Sequence, residues 1–475
     1  MKTIDDYLTS GYQKWKDKPE IWTKQNGEFV AATYGTLAED VRSLAAVLQS
    51  MNLGKTGILY AGNSYAWMVI DLCLMGYTGI SVPVDAAWTV FDLKNSLNKI
   101  EADVLFYGTA QEEAVLVLQE EFPQIKFYCI EKDFQRLAEA GRDLPLPKSQ
   151  SDPDQTVKIL FTSGTTSFPK AIPLTQRNLF TNWETLYQRT PMTERDKSYV
   201  FLPLNHVYSG VANFLYAMIS GMELYLCADL KDMAADMMRV RPTVVCTVPV
   251  IMQRFYDAGN EAVLEMLKEI RFLYCGGSFV NPELKQYFRR QGVTLLEAYG
   301  TTETSSVIAL EVVGDENLES NGVVFENLDV KIEDPDEQGI GEICVRGGSR
   351  TAGYLDSPEN AVYFDDEGFY HTGDLGYLDE QRHLYIKGRK RRMLDNGNGK
   401  KIYADEIEEL LLEHNAVKQV SVYLHEGKIT AALSTVCSRD EAVHIMEQVN
   451  ERLPKFKRIQ MLLTNESFTG SWFKQ

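Results

Sequence analysis

The chain has 475 residues, 44% hydrophobic and 24% charged, a composition of soluble globular proteins and too long for one ordinary core. Its net charge of -19 argues against nucleic acid or an anionic membrane surface as the main partner, so an anionic substrate must be held by local groups. No apolar run of about 18 residues occurs and acids (Asp5, Asp6) stand where a signal peptide needs a basic start; no transmembrane segment and a cytoplasmic location are expected.

From Gly57 the pattern alternates. Gly57 to Tyr60 reads as a strand, Ser64 to Tyr77 as a helix with Trp67, Ile70 and Leu74 at helical spacing, and Ile80 to Val84 as a second strand. Val104 to Tyr107 and Lys126 to Ile130 continue the series, and a similar rhythm returns between Tyr199 and Phe279. Such alternation predicts βαβ units, hence an α/β fold with largely parallel sheet. After about Val323 short strands separated by Gly and Asp clusters take over, as in Val330 to Glu333 and Glu342 to Arg346; they predict a small antiparallel or β-barrel-like subdomain. A basic run, Gly388 to Arg392, marks a boundary. Beyond it a helix (Asp405 to His414), two strands (Val417 to Leu424, Ile429 to Val436) and an amphipathic helix (Asp440 to Leu453) predict a small α+β domain. The seven cysteines are scattered with no CxxC pair, which predicts reduced thiols and neither a disulfide framework nor a zinc site.

One stretch carries the most chemistry: Phe161-Thr162-Ser163-Gly164-Thr165-Thr166-Ser167-Phe168-Pro169-Lys170. Gly164 permits close approach to anionic oxygens, the hydroxyl residues supply donors, and Lys170 adds a positive charge, a composition suited to a polyphosphate. Strand-like Val157 to Phe161 enters and extended Ala171 to Leu174 leaves. Neither spacing nor context fits a P-loop, which runs into a helix. Seen alone, the loop reads more readily as a polar hairpin turn, so other motifs must decide.

Five further segments follow in order: Leu202-Pro203-Leu204-Asn205-His206, Tyr274-Cys275-Gly276-Gly277-Ser278, Tyr299-Gly300-Thr301-Thr302-Glu303, His371-Thr372-Gly373-Asp374 and Lys387-Gly388-Arg389. Together with the phosphate loop, from about residue 30 to the end, they resemble adenylate-forming enzymes, the superfamily of acyl-CoA synthetases, adenylation domains and firefly-type luciferases. The resemblance implies a large N-terminal domain (1–388) of parallel α/β subdomains plus the β-barrel-like piece, and a mobile C-terminal domain (389–475) turning about a hinge near Lys390 and Arg391. It implies that Thr162, Ser163, Gly164, Thr165, Thr166 and Lys170 hold phosphates, Thr165 and Lys170 acting in catalysis. Tyr299 would pack on adenine beside Gly300 and Thr301, Thr302 contact the α-phosphate, and Glu303 hold Mg²⁺. Gly276, Gly277 and Ser278 would form the wall shared by the adenine and acyl pockets, His206 would line the acyl and thiol entrance, and Asp374 with Arg389 would take the ribose.

The implied activity is an AMP-forming acid–thiol ligation: a carboxylic acid attacks ATP, pyrophosphate leaves, and a thiol of CoA or a phosphopantetheine-bearing carrier protein displaces AMP. The segment Asn398 to Glu408 looks most like bacterial long-chain acyl-CoA synthetases, which points to a fatty acid, and no aspartate follows the Leu-Pro-Leu segment to anchor an α-amino group. One departure stands out. Where the family carries a lysine after a C-terminal glycine, this chain reads Gly470-Ser471, which predicts a loss on the order of 10² in adenylation. The alternative implied is a nucleotide- or acyl-adenylate-binding protein with impaired adenylation. Ser167 and Ala171 also stand where the family commonly has glycine.

Overall fold

The computed structural model describes residues 2–162, 169–278, 280–315, 317–394, 402–425 and 427–464. Ser163, Gly164, Thr165, Thr166, Ser167 and Ser471 therefore lie outside the described residues, as do residues 395–401, which include the start of the segment Asn398 to Glu408.

The alternating strands and helices build two sheets. In the first, five strands run parallel in the order Lys126–Cys129, Val104–Tyr107, Thr56–Tyr60, Ile80–Pro83, Thr156–Thr162, and Lys170–Thr175 closes the edge antiparallel. The extended pieces flanking the phosphate loop thus form one hairpin, with Thr162 opposite Lys170 at its mouth.

The second sheet has nine strands. Its six central strands are parallel: Leu295–Tyr299, Phe272–Gly276, Val244–Thr247, Lys197–Val200, Glu223–Leu226 and Pro19–Gln25. Short antiparallel strands, Ala309–Leu310 and Val323–Val324, finish one edge, and Glu28–Thr33 the other.

Helices between the sheets are held by ordinary local chemistry. Tyr34–Ser50 starts at Thr33, whose hydroxyl accepts from the Thr36 amide, and Leu37, Val41, Leu44 and Leu48 recur on its fully buried face. Gln176–Arg189 starts on a capping box between Thr175 and Asn178. This second helix positions the loop after Tyr299. Fully buried Asn182 donates through Nδ2 to the carbonyls of Thr304 (3.3 Å) and Val307 (2.7 Å), and Asn178 donates to those of Gly348 and Arg350 at 2.9 Å each.

Behind the strand that ends at Tyr299 lies a buried charge network. Lys285 Nζ donates to Glu297 Oε2 (2.7 Å), Glu311 Oε1 (2.8 Å) and the Ser320 carbonyl (3.1 Å), while Arg289 takes the other oxygen of Glu311 at 2.6 Å. Asn321 Nδ2 donates to Glu297 Oε1 at 2.8 Å.

The strand-rich region is a four-stranded antiparallel sheet, Leu328–Glu333, Gly341–Gly347, Tyr370–Leu378 and Leu384–Arg389. The chain then passes through a 3₁₀ turn, Lys390–Arg392, into an α+β unit in which Val417–His425, Lys428–Thr435 and Met461–Thr464 pack on the helices Ala404–Leu412 and Arg439–Arg452. Where the two units meet, the Arg389 amide donates to Asp405 Oδ2 at 2.6 Å, and a Cβ on Gly388, at φ +144, would lie 2.9 Å from that oxygen. All seven cysteines are free thiols. Among the described residues no helix is long and apolar enough to cross a membrane.

Candidate active site

A cavity of about 1060 Å³ opens where the C-terminal ends of both sheets meet the antiparallel sheet. Open α/β sheets commonly bind ligands at strand ends of this kind. Thr162, Lys170, His206, Gly277, Tyr299, Gly300, Thr301, Thr302, Glu303 and Arg389 all line it. Residues separated by more than two hundred positions thus face one space.

Asp374 sits just behind the lining. Its Oδ1 faces Arg389 Nε at 2.8 Å and its Oδ2 accepts from the Tyr299 hydroxyl at 2.6 Å, with Arg389 directly opposite on the neighbouring strand. Burial pushes this carboxyl up, against the opposing pull of Arg389 and Tyr299.

The loop after Tyr299 is tightly determined. Thr302–Thr304 forms a 3₁₀ turn, and the chain then passes through Ser305 (φ +58) and Ser306 (φ +116), a backbone region costly for non-glycine residues. The hydroxyls of Ser305 and Ser306 are buried and find no hydrogen-bond partner among the described residues. At Gly300 an added Cβ would lie 1.5 Å from the Ser306 carbonyl oxygen. Gly300→Ala is therefore expected to displace the loop and cost about 3 kcal/mol or more, read as a lowered unfolding midpoint by calorimetry. A wild-type profile would contradict this packing.

Glu303 is buried. Its Oε1 accepts from the Tyr354 hydroxyl at 2.8 Å, and its carbonyl accepts from the Thr351 amide at 2.7 Å. The same Tyr354 offers its ring face to Lys170 Nζ at 4.8 Å, and Tyr363 does so at 3.9 Å. Glu359 completes an ion pair with that ammonium. Lys170 is thus caged by two rings and a carboxylate rather than standing as a bare charge. Tyr354, Glu359 and Tyr363 were not singled out from the sequence; the signal there was a Gly-Tyr pair followed by a proline turn, which reads as loop.

His206 precedes a short helical turn, Val207–Ser209, and its carbonyl accepts from the Gly210 amide at 2.8 Å. Asn63, from the other sheet, clamps this segment by donating to the Leu202 carbonyl and accepting from the Leu204 amide, both at 2.9 Å. The glycine pair divides its labour. Gly277 (φ +82) faces the cavity, whereas a Cβ on Gly276 would lie 2.6 Å from the Ala298 carbonyl oxygen, so Gly276 serves strand packing. Ser278 is exposed and is not among the cavity-lining residues.

Comparison with known proteins follows the same lines. A family model described as AMP-binding enzyme matches residues 9–355. The chain is 27% identical over 443 residues to an oxalate–CoA ligase of Arabidopsis thaliana, covering 88% of this chain and 84% of that one. It is 26% identical over 519 residues to a peroxisomal long chain acyl-CoA synthetase of the same plant, covering 93% and 74%. In fold it resembles the o-succinylbenzoate CoA synthetase of Bacillus subtilis solved with its acyl-adenylate intermediate, with a TM-score of 0.83 at 23% identity over 96% of this chain and 94% of that one. With nearly three quarters of its length matched by the family model, the chain belongs to the AMP-binding enzyme family of adenylate-forming proteins.

Proposed function

We propose that this protein is an AMP-forming acid–CoA ligase that activates a fatty acid. The observation that carries the reading is the convergence of Lys170, Thr302, Glu303, Tyr299, Asp374 and Arg389 around one cavity. In the proposed reaction a carboxylate oxygen of the acid attacks the α-phosphorus of ATP and pyrophosphate leaves. The thiol sulfur of CoA, or of a carrier-borne phosphopantetheine, then attacks the acyl carbonyl; its proton goes to solvent and AMP leaves. Catalysis is positioning and charge neutralisation, because the substrate supplies its own nucleophile.

Tyr299 would face adenine, with Gly277, Gly300 and Thr301 around the base. Asp374 and Arg389 would meet the ribose, exchanging their mutual contacts for contacts with its hydroxyls. Lys170, Thr162 and the loop containing Ser163, Gly164, Thr165 and Thr166 would take the phosphates, and Thr302 the α-phosphate. Glu303 suits Mg²⁺, being a hard oxygen donor with one oxygen fixed by Tyr354 and a place on the cavity wall. When bound, the ion supplies neutralisation of phosphate charge. His206 would stand at the thiol entrance, and the unit from Arg389 onward would turn about Lys390 and Arg391 between the two half-reactions.

The choice of acid rests on Leu202, Val207, Val248, Ala298 and Val307, which give one part of the cavity an apolar lining. That lining suits an alkyl body better than a second carboxylate. With ATP and Mg²⁺, fatty acids of graded length are expected to release pyrophosphate, and oxalate is not. Asp374→Ala is expected to raise the KM for ATP by about 10-fold or more, through loss of charge-assisted hydrogen bonds. Silence across fatty, aryl and dicarboxylic acids would overturn the assignment. Ser471 favours a second reading, a nucleotide- or acyl-adenylate-binding protein with weak adenylation. Tight ATP binding without turnover is its signature.

A further inference from the structure

Beyond the nucleotide site, the antiparallel sheet gathers one cluster with metal-ligand chemistry. Glu342 and Cys344 alternate along the strand Gly341–Gly347, so both side chains point to one face, and His371 is the direct cross-strand neighbour of Cys344. The Cys344 Sγ lies 3.3 Å from His371 Nδ1, and the same nitrogen lies 3.3 Å from Glu342 Oε2. All three donor atoms fall within 4.8 Å of one another. Tetrahedral zinc with S, N and O ligands at 2.0–2.3 Å sets its donors about 3.3–3.7 Å apart, close to this spacing.

A second, independent feature points the same way. His371 Nε2 lies 3.4 Å from Asp365 Oδ2, and Asp365 is itself fixed by the Phe369 amide at 2.7 Å. A carboxylate beside the far nitrogen can hold the Nε2 proton when a metal takes the Nδ1 lone pair, the arrangement that metal-binding histidines use. Two of the donors, Glu342 and His371, also line the large cavity, which gives an ion a route in.

We propose that Glu342, Cys344 and His371 bind one thiophilic divalent cation such as Zn²⁺, separate from the Mg²⁺ assigned to Glu303. Binding replaces the Cys344 thiol proton, which passes to solvent, and leaves a fourth coordination position for water. It also competes with a cation already present. Lys390 Nζ holds Glu342 Oε2 at 2.7 Å, so the metal must displace the first residue beyond the last strand of the sheet. Occupancy thereby loosens one of the contacts that tie the chain to the sheet where it leaves for the C-terminal unit. Mg²⁺ does not suit this donor set, because a hard ion avoids sulfur.

The test is Co²⁺ titration of the full chain followed by absorption, which needs no ligase activity and so fails or succeeds apart from the proposed function. One equivalent is expected to give a thiolate-to-cobalt charge-transfer band with intense four-coordinate d–d bands, and Zn²⁺ is expected to erase both. Cys344→Ser is expected to remove the charge-transfer band. Asp365→Asn, which leaves every ligand in place, is expected to weaken binding by about 10-fold or more. Lys390→Met is expected to tighten it. Absence of the band in the wild-type chain overturns the proposal, and so does its persistence in Cys344→Ser, which would place the metal on another cysteine.

Discussion

Lys285→Met is expected to destabilise the protein by about 3–5 kcal/mol at neutral pH, the cost of leaving a buried charge without its partner. Lys285 and Glu311 are each 1% exposed and Glu297 is 6% exposed, so water cannot replace the lost ammonium. Arg289 still serves Glu311, but among the described residues the Glu297 carboxylate keeps only Asn321. Burial already pushes the Glu297 carboxyl up, and Lys285 is the chief opposing influence. Removing that lysine raises it further, so the folded variant binds a proton more readily than its unfolded chain does. The folded value then lies above the unfolded one, and the variant's deficit shrinks as pH falls toward the ordinary carboxylate range. Urea denaturation at neutral and mildly acidic pH measures both effects. Adding Glu297→Gln to Lys285→Met should recover part of the loss, because the orphaned charge is gone. A single variant with wild-type stability at every pH would show that the network is not buried as described.

Ser471→Lys is expected to raise acid-dependent ATP–pyrophosphate exchange on the order of 10²-fold. Three of the cations on the cavity wall already have carboxylate partners. Lys170 is neutralised by Glu359, Arg389 by Asp374, and Lys390 by Glu342. A hydroxyl at 471 offers a dipole where the resemblance implies a full charge bridging carboxylate and α-phosphate. Thioester formation from a supplied acyl-adenylate should change little, since that step begins after the α-phosphate has been attacked. Equal exchange rates in both proteins would mean that another group, such as Lys474, already serves. Exchange in neither would favour the binding-protein reading.

Local pattern carried much of this architecture. Val157 to Phe161 and Ala171 to Leu174 read as extended pieces and are the two arms of one hairpin. The helices expected at Asp405 to His414 and Asp440 to Leu453 occur as Ala404–Leu412 and Arg439–Arg452, shifted by the usual ambiguity of helix ends. The helix read from Ser64 to Tyr77 is α-helical only over Tyr65–Cys73 and closes in a wider π turn, Leu74–Thr78. Pairings between distant segments were not legible. Nothing in Pro19 to Gln25 announces that it will lie beside Glu223 to Leu226, since that register is fixed by packing two hundred residues away. The candidate site divides in the same way. Asp374, Glu303 and Tyr299 are legible only through the resemblance carried by the six ordered segments, since each segment alone reads as a turn. Tyr354, Glu359 and Tyr363 are not, because their role arises only when a separate loop folds over Lys170. A glycine pair does not reveal which backbone faces a cavity: Gly277 lines this one, and Gly276 packs against the Ala298 carbonyl.

The cage around Lys170 has a consequence for how an anion would enter. An ammonium pressed between two aromatic faces has already surrendered much of its hydration, and its charge is balanced by Glu359 before any phosphate arrives. An incoming polyanion would then trade one counter-ion for another instead of stripping water from an open lysine. Association at this point is an ion exchange, and dissolved salt would compete with Glu359 as much as with the ligand. The side chain of Glu359, more exposed than the lysine it guards, is thus placed to set the ionic strength at which the pocket fills.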